Sequence, residues 1–148
     1  MGAIALTGMT AVVTSCGSQA PSDQSQTWYV LEVIDGGTLL VSRGGEEREI
    51  DLCEVDVPGL NQPGGEEAMV IVERLTSAAE REVILVMTGD GEARAAVFNP
   101  SGDQEILLQA ELLMMGLATL DVDELPGCPN GDVLKDLQAT EPVSVFSR

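Results

Sequence analysis

The sequence predicts a small α+β domain: a closed five-stranded β-barrel carrying two to three helices. Three observations predict it. Short β-forming runs recur between turn signals. A single stretch of helical period, Glu66 to Ala79, interrupts them after the third run. A further helical stretch follows the fifth, so the order is three strands, helix, two strands, helix. Five short antiparallel strands in that order suggest a Greek-key barrel of the OB type.

Each element has a local cause. Trp28 to Ile34 is rich in β-formers and stops at Asp35-Gly36-Gly37, a turn signal. Thr38 to Ser42 is the second strand, and the polar turn Arg43-Gly44-Gly45-Glu46 leads into a third, Glu47 to Cys53. There Ile50 and Leu52 alternate with Glu49, Asp51 and Cys53, which predicts one wet face. Pro58 and Pro63, with Gly59, Gly64 and Gly65, mark a loop. In the helix from Gly65 or Glu66 to Ala79, Ala68, Ile71, Val72, Leu75 and Ala78 fall at helical spacing. Glu66 and Glu67 suit its positive end. Glu82 to Met87 is the fourth strand and Ala93 to Phe98 the fifth. Asn99-Pro100-Ser101-Gly102 reads as a turn, and Glu105 to Leu117 as a second helix stopped near Gly116. Asp132 to Ala139 makes a short third helix. Met114 and Met115 read as core or helix-end packing.

Charge narrows the partners. The chain of 148 residues holds 25 acidic residues against seven Lys plus Arg and no His, a formal charge of −18. Nucleic-acid binding rests on cations displacing counterions from phosphates, and no basic run is present to do so. The same charge disfavours docking of the folded body on anionic lipid. Without His, the commonest general base is missing. Aromatic residues are 3% of the chain, so Leu, Val, Ile, Met and Ala must build the core.

The first fifteen residues are small and apolar, and too short to span a bilayer, which takes roughly 20 apolar residues. They fit the apolar region of a secretory signal, although no Lys or Arg precedes it. Val13-Thr14-Ser15-Cys16 resembles the lipobox of bacterial lipoproteins, in which the cysteine is lipidated and becomes the new N-terminus. The alternative is a buried N-terminal element with an ordinary cysteine. Gly17 to Thr27 is polar and has no apolar period, as a flexible tether would. The expected organisation is therefore a signal over 1–15, a tether over 16–27, a barrel domain over 28–121 and a C-terminal extension with a short helix over 122–148. Lipidation of Cys16 leaves Cys53 and Cys128 as an even pair in an oxidising, extracytoplasmic compartment. They form either one disulfide or two separately buried thiols. A bridge would close a loop of about 75 residues, which the chain-entropy account values at roughly 4 kcal/mol.

From Tyr29 to Leu120 the chain resembles the staphylococcal-nuclease-like (thermonuclease) family. Val33-Ile34-Asp35-Gly36-Gly37-Thr38 looks like its V-x-D-G-D-T turn, and Asp51 to Gly59 like its R-L-x-x-[IV]-D-[AT]-P-E segment. Gly65-Glu66-Glu67-Ala68 resembles the G-x-E-A start of its first helix. Asp90 to Ala95 resembles its D-x-Y-G-R-x-L-A stretch, one or two residues short, and Leu112 to Leu120 its closing L-[IV]-x-x-G-L-A. The Cys128-Pro129-Asn130 tail looks like extensions of secreted bacterial members.

The resemblance implies a Ca²⁺-dependent phosphodiesterase. Two arginines grip the phosphate, whose oxygens fit the guanidinium fork. A glutamate activates water, and aspartates hold the metal. Carried over position by position, most of these groups are missing. The first metal aspartate falls on Gly37, the first arginine on Asp51 and the glutamate on Gly59. The second arginine falls on Glu92, with Arg94 two positions later as a replacement. The second metal aspartate survives as Asp56. Replacing two arginines by carboxylates changes the local charge by about four units, and such charges interact by about 1 kcal/mol at close range even in water. The expected protein is a pseudo-nuclease without a cofactor, tethered to a membrane and binding another protein. The alternatives are an active Ca²⁺-dependent nuclease with a rebuilt site, and a cation-binding lipoprotein using Asp56 with Asp35, Asp51 and Glu92.

Overall fold

The computed structural model describes residues 25–89, 93–101, 103–123 and 127–139. The expected signal, Cys16, the tether up to residue 24 and Glu92 lie outside the described residues.

A closed five-stranded mixed barrel with three helices forms the body. Strands β1 (Ser25–Asp35), β2 (Thr38–Arg43) and β3 (Glu46–Leu52) make the expected antiparallel meander. Gly44 and Gly45, at φ 57° and 84°, turn β2 into β3. Helix α1 (Gly65–Ala78) then leads to β5 (Glu82–Met87), which pairs with the N-terminal half of β1 from Ser25↔Val86 to Tyr29↔Glu82. Strand β1 therefore serves two neighbours, β5 with its first half and β2 with its second. It starts three residues before Trp28, inside the stretch expected to be tether. Strand β6 (Arg94–Ser101) pairs with β5, and its start meets β3 through Asp51↔Arg94 and Leu52↔Ala95. That last ladder closes the barrel.

The closing pair is parallel, where an all-antiparallel set was expected. Strands β3 and β6 each stand two antiparallel pairings from β1, by way of β2 and β5, so both run in its direction. A second difference follows β6. Asn99 to Ser101 continue the strand, and β7 (Gln104–Leu107) pairs back on them from Ser101↔Gln104 to Phe98↔Leu107. The hairpin overrides the helical pattern of Glu105 to Leu107, so α2 is shorter than expected, Leu108–Met114. Two further short strands, β4 (Val55–Asp56) and β8 (Thr119–Leu120), pair across the mouth of the barrel. Helix α3 (Gly131–Ala139) is the expected third helix.

Two apolar clusters hold these elements together. Inside the barrel Val30, Val33, Leu39, Val41, Ile50, Val83, Leu85 and Val97 pack with Val72 of α1 and Leu108 and Leu112 of α2. Outside it, Ala96, Leu107 and Leu134 of α3 surround Cys53 and Cys128. Cys53 is thus buried at 1% exposure and not on a wet face as expected, because α2 and α3 cover the outer side of β6. The two thiols are joined as a disulfide with Cα atoms 5.9 Å apart. Gln109 of α2, fully buried, bonds backbone groups at and beside the closing ladder. Its Oε1 accepts from Val97 N (3.2 Å) and its Nε2 donates to Ala95 O (2.9 Å) and Cys53 O (3.4 Å). Met114 and Met115, expected in packing, are 53% and 50% exposed.

Two predictions come from this packing. Breaking the bridge in the Cys53→Ala/Cys128→Ala variant, across a separation of 75 residues, lowers unfolding stability by about 2–5 kcal/mol, read from urea unfolding; an unchanged midpoint would contradict it. Tyr29, the chain's one tyrosine, donates its hydroxyl to Glu82 Oε1 at 2.9 Å. That hydrogen bond, and then the charge of Glu82, raises its pKa above the ordinary 10.0. A raised value means that the contact stabilises the fold fully below the unfolded pKa and is lost as pH rises through the folded one. Absorbance titration therefore gives a midpoint above the ordinary one, and Glu82→Gln moves it down.

Candidate active face

The turn between β1 and β2, the end of β3, the start of β6 and the β4–β8 pair meet around one depression. It has a volume of about 300 Å³, and its lining includes Asp35, Asp51, Asp56, Asp121 and Arg94. Three of the residues singled out in the sequence, Asp35, Asp51 and Asp56, are therefore brought together, with Gly37 and Arg94 beside them. Asp121 was not anticipated. Sequence spacing gave no signal for it, because it reaches the site only through the β4–β8 pair, where Asp121 N donates to Glu54 O at 2.7 Å.

Three of the four aspartates already serve hydrogen bonds to the residues around them. Asp35 Oδ1 accepts from Gly37 N (2.8 Å), closing the turn. Asp51 Oδ1 accepts from the Thr38 hydroxyl across the β2–β3 ladder (3.0 Å). Asp121 Oδ1 accepts from Asp123 N (3.1 Å). Asp56 is exposed at the rim. Ca²⁺ takes six to eight oxygens at short range, but no three acidic side chains among the described residues converge closely enough to hold a metal ion. Among the described residues the donor set does not fit the ion.

The geometry distinguishes the two glycines at which the resemblance expects acids. A Cβ at Gly37 would lie 3.3 Å from Val57 Cβ and 3.4 Å from Val57 Cγ2, so Val57 crowds the place where a side chain would stand. Gly59 sits in the loop before α1, its N–H bonded to Gln62 Oε1 (3.0 Å), and a Cβ there meets nothing within 4 Å. It is not among the residues lining the depression. The neighbouring Gly65 is different. Its Cβ would stand 1.9 Å from Gly59 O, so the loop can lie against the helix start only because position 65 has no side chain.

Arg94 is half-buried and faces Asp51 across the parallel ladder. The described lining thus holds four aspartates and one arginine, a potential that repels phosphate. No protein-family model matches the chain, and no curated protein matches it. Among the described residues, no helix is long and apolar enough to cross a membrane.

Gly65→Ala is expected to destabilise by about 1–3 kcal/mol through this backbone clash, whereas Gly59→Ala stays within about 0.5 kcal/mol of the parent. Thermal unfolding of the two variants checks the contrast.

Proposed function

We propose that this chain is a bacterial lipoprotein whose barrel is of the OB type and of staphylococcal-nuclease-like descent. In this reading it no longer cleaves phosphodiesters and works as a protein-binding or assembly module outside the cytoplasm. The observation that carries the reading is the charge of the depression. Where the resemblance expects arginine, Asp51 stands, and Asp35, Asp56 and Asp121 stand around it. A nuclease of this kind needs a cationic cradle, and the described lining sets one arginine among four aspartates.

Other features support the proposal. A Greek-key barrel of five strands with a helix after its third is the OB arrangement. The order β1-β2-β3 closing on β6 and β5, with α1 between β3 and β5, agrees with it. The disulfide suits an oxidising compartment, as the Val13-Thr14-Ser15-Cys16 segment suits an exported and lipidated chain. A diacyl-type anchor at Cys16 supplies more than one buried acyl chain, which stable membrane attachment needs.

Arg94 favours the second reading, a nuclease with a rebuilt site, since it keeps one guanidinium on the face. One assay separates the two. The full chain incubated with single-stranded DNA and Ca²⁺ is expected to leave the substrate intact. Cleavage that EDTA stops and Arg94→Ala abolishes would establish the second reading and overturn the first.

A further inference from the structure

Away from the acidic depression, α1 and the end of α2 enclose a groove of about 480 Å³. It is lined by Val70, Ile71, Met115 and Leu117, with Glu66 and Glu67 beside them. Ala68 and Val72 of α1 are buried in the barrel, which turns Val70 outward, 54% exposed. Helix α2 ends in a left-handed turn at Gly116 (φ 70°), where Leu117 N bonds back to Leu112 O at 2.9 Å. That turn holds Met115 on the groove wall, 50% exposed, with Met114 next to it at 53%. Single exposed apolar residues are ordinary, but several gathered around a concavity mark a binding surface. Methionine side chains are flexible and polarisable, which suits a surface that must fit a guest.

Charge selects the guest. The α1 wall carries Glu66 and Glu67, and no cation is among the residues of the lining. The chain as a whole stands at −18. An acidic segment or an anionic lipid surface is repelled from such a groove. A segment that presents apolar side chains flanked by Lys or Arg is attracted, and its basic residues meet Glu66 and Glu67. An amphipathic helix in a groove is the recognition mode that combines these features.

We infer that the α1–α2 groove docks a basic amphipathic helix of a partner protein. The inference rests on the reading of the chain as a protein-binding module, and it adds the surface and the chemistry of the partner.

The test uses the full chain, unlipidated, and a short helical peptide of Leu and Lys with Leu at i, i+3, i+4 and i+7. The same peptide with Glu in place of Lys is the control. The Lys peptide is expected to shift amide resonances of Val70, Ile71, Met115 and Leu117, and the Glu peptide to leave them unmoved. Val70→Ser/Met115→Ser should weaken binding about tenfold, the loss expected when central anchors are truncated. Both side chains are exposed, so an unchanged melting temperature shows that the fold is retained. Binding that spreads over Asp35, Asp51 and Asp56 and ignores the double variant would be mere charge attraction and overturns the inference. So would absence of binding, or binding of anionic vesicles through the same residues. The result is separable from the reading beneath it: DNA cleavage would remove the pseudo-nuclease reading without touching the groove. A partner crosslinked only at the acidic face would keep the binding module and remove the groove.

Discussion

The parallel ladder between β3 and β6 is short, two register pairs long, yet the rest of the molecule is arranged around it. It joins strands separated in the chain by β4, α1 and β5. Asp51 N reaches Ala93 O at 2.9 Å and Cys53 N reaches Ala95 O at 3.1 Å, which seals the barrel wall. With the wall sealed, Asp51 lies opposite Arg94, and Cys53 is carried to the outer side, where Cys128 meets it. Gln109 completes the closure by bonding the carbonyls of Ala95 and Cys53. A buried amide that satisfies several backbone groups at once is costly to replace by an apolar residue, since each orphaned group costs about 1–3 kcal/mol.

The closure also explains why the acidic face is stable despite its charge. Four aspartates around one depression repel one another, but three of them hold hydrogen bonds in the turns and ladder that build the depression. Their negative charge is dispersed into backbone and hydroxyl dipoles. The face is thus first a piece of architecture, and what it attracts is set by the charge left over. In the proposed reading that remainder disfavours phosphate and leaves binding to the apolar groove between α1 and the end of α2.

Much of this was legible in the residues. The meander from Trp28 to Cys53 follows from its turns, and α1 from the period of Ala68, Val72 and Leu75. The expected acidic grouping was Asp56 with Asp35, Asp51 and Glu92; the depression gathers the three aspartates with Arg94, and Glu92 lies outside the described residues. Other features were not legible, each for a physical reason. Glu105 to Leu107 carries a helical pattern, but the free edge of β6 offered it a ladder. Cys53 stood at an alternating position that reads as wet, and helices from the far end of the chain cover it. Met114 and Met115 look like core because they are apolar and helical, but the turn at Gly116 ends their helix facing water.

Local chemistry therefore determined the elements: alternation for strands, period for α1 and α3, glycine and aspartate for the turns. The acidity was also written in the composition, and with it the classes of partner that the surface repels. Only the tertiary structure decided which strands close the barrel, that Cys53 pairs with Cys128, and that Asp121 joins the acidic face. It decided too that Val57 fills the space beside Gly37 and that Gly65 lies against Gly59. The reason is range. Turns and periods depend on neighbours a few residues apart, whereas closure, crowding and bridging depend on distances between residues far apart in the chain.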